Sequence, residues 1–129
     1  MQQLQFEASW EKALSTQDRM NIQEIFNQSK HFNGLEITCT TVRVAINHQE
    51  ALLVTALVHN FSNTILTFKD TKVSYTFEGE LIAENLFSLP ALEITAKVSM
   101  PWTFIFPKCS YITKTSYENG QLVIHPMYT

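Results

Sequence analysis

Two hydrophobic rhythms divide the chain. Over residues 8–29 apolar side chains recur at helical spacing. Trp10, Ala13 and Leu14 fall on one face, and Ile22, Ile25, Phe26 and Ser29 repeat the same steps. Between the two sets, Ser15-Thr16-Gln17-Asp18 has the outline of a capping box, in which Ser15 accepts from the N–H of the third helical residue. Asp18 also suits the positive end of a helix dipole. The pattern predicts two short helices, or one broken near Ser15. Helices of this length are marginal alone in water, so their apolar faces must pack on something larger.

From Leu35 the period falls to two. Leu35, Ile37 and Cys39 alternate, and Val42, Val44 and Ile46 follow on the opposite parity, which predicts a change of face or a bulge near Thr40-Thr41. Residues 47–50 form a polar break of hairpin length. Residues 51–58 are apolar on both parities, as expected of a central strand covered on both faces. A loop at residues 60–63 follows, then the alternation of Val73, Tyr75 and Phe77, and a turn at Glu78-Gly79-Glu80 into residues 81–83. Pro90 is expected to part that strand from Leu92, Ile94, Ala96 and Val98. Trp102, Phe104 and Phe106 alternate between Pro101 and Pro107, and a last strand is expected over residues 121–124 after Asn119-Gly120.

Seven to eight short strands, with turn signals about every ten residues, predict an immunoglobulin-like antiparallel β-sandwich carrying a short N-terminal helical extension. The chain is mainly β on this reading, and a small barrel is the alternative fold. At 129 residues and 14.8 kDa it has the size of one domain, with residues 1–33 as the helical extension and 34–129 as the sandwich. The Cys…Trp…Cys arrangement of antibody domains is absent, so only the architecture is expected.

Composition narrows the function classes. Hydrophobic residues make up 45% and charged residues 16%, too apolar a balance for disorder. A net charge of -3 argues against nucleic acid as a partner, because phosphate binding needs surplus Lys and Arg. Three glycines leave no room for Gly-rich phosphate loops. The start Met1-Gln2-Gln3 lacks the basic and apolar regions of a secretory signal, and no apolar run reaches the ~20 residues of a membrane span. A cytoplasmic location is expected. Cys39 and Cys109 are then expected as free thiols packed in strands. The glycosylation patterns at Asn27 and Asn60 are short enough to arise by chance.

No catalytic, cofactor-binding or metal-ligating residue stands out. His31, His48, His59 and His125 show no zinc-ligand spacing, and they read as turn and strand-end histidines bonded to backbone. Neither cysteine has basic neighbours that would favour a thiolate. Glu78 and Glu80 flank a turn glycine as solvated carboxylates. The stretch from Met100 to Pro107 reads as an inward stripe of Trp102, Phe104 and Phe106, which leaves Thr103 and Ile105 outward as candidate protein contacts. Trp10, Leu14, Ile22 and Phe26 on the helical faces are the other candidates.

Several blocks carry a likeness. Phe6 with Trp10-Glu11-Lys12-Ala13-Leu14-Ser15 and Asp18-Arg19, then Asn47-His48, Leu52-Leu53-Val54-Thr55 and His59-Asn60, and finally Met100-Pro101-Trp102-Thr103-Phe104-Ile105-Phe106-Pro107, resemble the SLAP domain from about Leu4 to Lys108. That family occurs in bacillus-group bacteria, as a duplicated domain in the assembly protein of the accessory Sec system that exports S-layer proteins. The resemblance implies a non-catalytic cytoplasmic helper whose partners are export or S-layer components. Here the domain stands in one copy. A homodimer is expected, since low charge gives little protection against pairing at an uncovered sheet edge. The alternative function is a cell-wall or carbohydrate-binding module, which would require export.

Overall fold

A computed structural model describes residues 2–32, 34–114 and 116–125. It is mainly β, with a minor helical part. In chain order the elements are β1 (Gln3–Leu4), α1 (Ala8–Ala13), α2 (Thr16–Ser29), β2 (Ile37–Ile46), β3 (Leu52–Asn60), β4 (Leu66–Phe77), β5 (Glu80–Ile94), β6 (Val98–Phe106) and β7 (Gln121–His125). They form two sheets, ordered β1-β6-β3-β2 and β5-β4-β7. Both contribute side chains to one apolar core, among them Leu52, Val54, Phe104 and Phe106 from the first and Val73, Tyr75, Leu92 and Leu122 from the second. Phe87 of β5 meets Phe104 and Phe106 edge-on, each at 5.4 Å between ring centroids, an arrangement that aromatic quadrupoles favour.

The helices form where the spacing places them, interrupted at Leu14-Ser15. Ser15 caps α2 by accepting from the Asp18 N–H at 3.0 Å, and Glu7 caps α1 by accepting from the Ser9 N–H at 2.8 Å. They lie on the first sheet. Ile22 and Phe26, one turn apart, are buried against Leu57 of β3, with Leu4, Phe6, Trp10, Leu14, Ile25 and Val42 around them. Burial of each large apolar side chain contributes about 1.5–3 kcal/mol, which holds a helix that would fray alone. The central strand β3 is therefore covered on both faces, as its unbroken apolar run predicts.

Several expectations need correction. Pro90 does not break a strand: β5 runs through it, because it falls in a register irregularity between the pairs Phe68–Leu89 and Thr67–Glu93, where residues 90–92 have no partner on β4 and a missing N–H costs no ladder bond. Val98 belongs to β6 and not to the alternation before it. A turn with Lys97 at φ 60° intervenes, closed by a bond from the Val98 N–H to the Thr95 carbonyl. Pro101 lies inside β6 and does not bound it, beyond the two-residue contact with β1. That contact is parallel, pairing Gln3 with Val98 and Leu4 with Ser99, so the N-terminal segment is partly sheet and the sheets are not purely antiparallel. The register shift between Thr41 and Arg43 is the expected bulge. Val42 is the extra residue and packs with the helices, while Val44 faces the core.

The start of β7 depends on a glycine for want of space. A Cβ at Gly120 would lie 2.4 Å from the ring of Tyr75 and 2.8 Å from the Thr76 carbonyl oxygen. The Tyr75 hydroxyl accepts from the Gly120 N–H at 3.0 Å and donates to the Tyr117 carbonyl. Gly120→Ala should lower stability by about 2 kcal/mol through this overlap. Urea denaturation would show an unshifted midpoint if the contact were absent.

Candidate functional site

Strand register assembles the outer face of the first sheet in rows. Arg43 lies beside Thr55, which lies beside Thr103, and in the next row Ala45, Leu53 and Ile105 are neighbours. The Thr55 and Thr103 hydroxyls are bonded at 2.8 Å. Ile105 is 52% exposed, so the helices leave this end of the face open. Where the covered part meets the open part, a cleft of about 310 Å³ is lined by Trp10, Leu14, Ile22, Ile25, Val42 and Thr55, with Asp18, Asn21, Glu24 and Arg43 among its polar residues. Trp10 is held in place by stacking on Trp102, ring centroids 6.3 Å apart. Nearby, Arg19 bonds the Glu11 carboxylate at 3.0 Å and lies 4.9 Å from the centroid of the Phe6 ring.

This geometry sorts the candidate contact residues. Trp10 and Leu14 line the cleft, Thr103 is joined to it through Thr55, and Ile105 lies in the next row of the same face. Ile22 also lines the cleft but is buried, and Phe26 is buried without lining it. Both serve as the helix's anchor on Leu57. Sequence reasoning missed Ile25, Val42, Arg43 and Thr55 as parts of the same cleft. The bulge that turns Val42 outward was the available signal; the pairing of Arg43 with Thr55 needed the register.

Other polar groups are placed differently. His59 is buried inside β3, bonded not to backbone but to the Ser99 hydroxyl through Nδ1 at 2.6 Å and the Thr40 hydroxyl through Nε2 at 3.1 Å. Burial holds its pKa down at about 4. Gln2 donates to the same Ser99 hydroxyl at 3.1 Å and ties the N-terminal segment to this network. On the outer face of the second sheet, Ser74 donates to Glu84 at 3.1 Å and lies 3.2 Å from His125 Nε2. Cys39 is buried in β2 and burial pushes its thiol up to about 12. Cys109 is exposed in a turn at φ 75°, not packed in a strand as expected. Among the described residues no group of three or more His, Cys, Asp or Glu side chains is disposed to hold a metal ion, and no helix is long and apolar enough to cross a membrane.

A family model of the SLAP domain matches residues 4–125, nearly the whole chain. The chain belongs to the SLAP domain family. The matched span runs from Leu4 in β1 through both helices and β2 to β7, so the cleft between helices and sheet lies wholly within the SLAP region. No curated protein and no solved structure matches the chain.

Proposed function

We propose that this SLAP domain is a non-catalytic protein-interaction module, acting in the cytoplasm as a helper in the export or assembly of S-layer proteins. The observation that carries the reading is the cleft of about 310 Å³, in which Trp10 and Leu14 stand beside an uncovered sheet face ending in Ile105. An aromatic anchor beside aliphatic groups, rimmed by charge, is the composition of protein-contact sites. The export role is supported by membership of the SLAP family.

We read the fold as a single immunoglobulin-like sandwich. With β2, β3 and β6 taken as strands A, B and E, and β4 and β7 as C and F, the neighbours A-B-E and C-F of that fold recur, and β5 occupies the position of strand C′. The helices then cover one sheet and leave the edge of β2 past its bulge for pairing, the Cys39 carbonyl before it being taken by the Gln121 side chain at 2.7 Å.

Leu14→Asp and Ile105→Asp test the reading. Each should leave the fold intact, because Leu14 is half-buried and Ile105 is exposed, and each should weaken capture of export or S-layer proteins from a bacillus lysate at least five-fold. Capture unaffected by both substitutions, or binding to wall polysaccharide in place of protein, would overturn it.

A further inference from the structure

We propose that the free edge of β2 over residues 43–46 docks an extended partner segment that carries Lys or Arg side chains. This rests on the protein-binding reading above and names the chemistry of the partner. β2 is the outermost strand of its sheet. Past the bulge, Arg43, Val44, Ala45 and Ile46 pair regularly with β3 on one side, which leaves the other side of the strand to offer its backbone N–H and C=O groups.

Two clefts flank the start of this stretch on opposite faces. Towards the helices lies the cleft of about 310 Å³ with Trp10, Leu14 and Ile25. Towards the second sheet lies one of about 380 Å³, lined by residues 41–44 with Glu118 and Asn119. An added strand sends alternate side chains to opposite faces, so its successive residues enter one cleft and then the other.

The charges select the occupant. Asp18 and Glu24 line the first cleft and Glu118 the second, against Arg43, which lines both. The ion pairs among the described residues join Arg19 to Glu11, Lys72 to Glu84, Lys108 to Glu50 and Lys114 to Glu80, and leave these three carboxylates out. The first cleft therefore holds two carboxylates against one guanidinium, and the second one against one, so a basic side chain directed into the first is complemented by its charge. The Trp10 ring adds a face on which an ammonium or guanidinium group can rest.

The test is an NMR titration of the isotope-labelled chain with the peptide acetyl-Val-Lys-Val-Lys-Val-amide and with its Glu counterpart. The Lys peptide should shift the amides of residues 43–46 and the Trp10 indole, and bind at least ten-fold tighter than the Glu peptide. Combining Asp18→Asn and Glu24→Gln should weaken it about ten-fold, because both Lys side chains of the bound peptide point to one face, and N-methylation of the peptide amides that face β2 should abolish binding. Should the combined variant not fold, the comparison of the two peptides on the native chain decides alone. Equal affinities, shifts elsewhere, or no binding at millimolar concentration overturn the proposal. So do shifts at this edge that follow protein concentration without peptide, since a second copy would then occupy it. If the native chain still captures its export partner while the peptides fail, the basic segment is wrong and the protein-binding reading stands. If capture fails as well, both fall.

Discussion

Asn60→Asp should lower stability at pH 7 by about 3–5 kcal/mol, though it changes one NH2 for one oxygen. Asn60 closes β3 and is fully buried. Its amide group donates to the carbonyls of Thr64 at 2.8 Å, Ile94 at 2.9 Å and Thr95 at 3.2 Å, and its oxygen accepts from the Ser62 N–H at 3.0 Å and the Ser62 hydroxyl at 2.6 Å. One side chain thus ties the end of β3 to the loop after it and to the end of β5. A carboxylate there would face three carbonyl oxygens with nothing to donate. Burial would raise its pKa above the unfolded value. The folded variant would then hold a proton that the unfolded chain has lost, and its deficit should shrink as pH falls from 7 to 5. Urea midpoints of both proteins at the two pH values check this. A deficit below about 1 kcal/mol, or one independent of pH, would remove Asn60 from this role.

Legibility varied with the range of the determining contacts. The break at Ser15 and the bulge after Thr41 are set by neighbouring residues, and both were readable from the sequence. The apolar run of β3 marked a doubly covered strand, but it did not say that the chain's own helices form one cover. Trp10, Leu14, Ile22 and Phe26 share a periodic face, and nothing in that periodicity separates the pair that docks from the pair left at the rim. Pro90 and Pro101 read as breaks because local rules assume a strand with partners on both sides. Pro90 falls in a bulge of β5 and Pro101 beyond the short contact with β1, both properties of strand pairing and not of any window of residues. Glu118 reaches Arg43 and its neighbours on β2 through the long-range fold alone. The cleft was thus half visible: its aromatic and aliphatic wall could be named in advance, and its charges could not.

Acidification from pH 7 to 4 should lower stability by about 3 kcal/mol through His59 alone. The ring is 1% exposed, stacked on Phe61 at 5.4 Å, and bonded at both nitrogens to hydroxyls. The folded pKa of about 4 lies below the ordinary value of 6.5. Between those two values the unfolded chain binds a proton that the folded chain refuses, so stability rises with pH across this window and is lost as pH falls through it. At ~1.4 kcal/mol per pH unit, a span of about 2.5 units amounts to about 3 kcal/mol. His59→Asn should be less stable at neutral pH, having lost ring packing, yet show a flatter slope of stability between pH 6.5 and 4.5. The imidazole resonances of the native protein provide an independent check, because that of His59 should hold still from pH 8 to 5. A midpoint for His59 near 6.5 would show that the ring is open to solvent. The bonds from β2, β6 and the N-terminal Gln2 would then not converge on a neutral histidine.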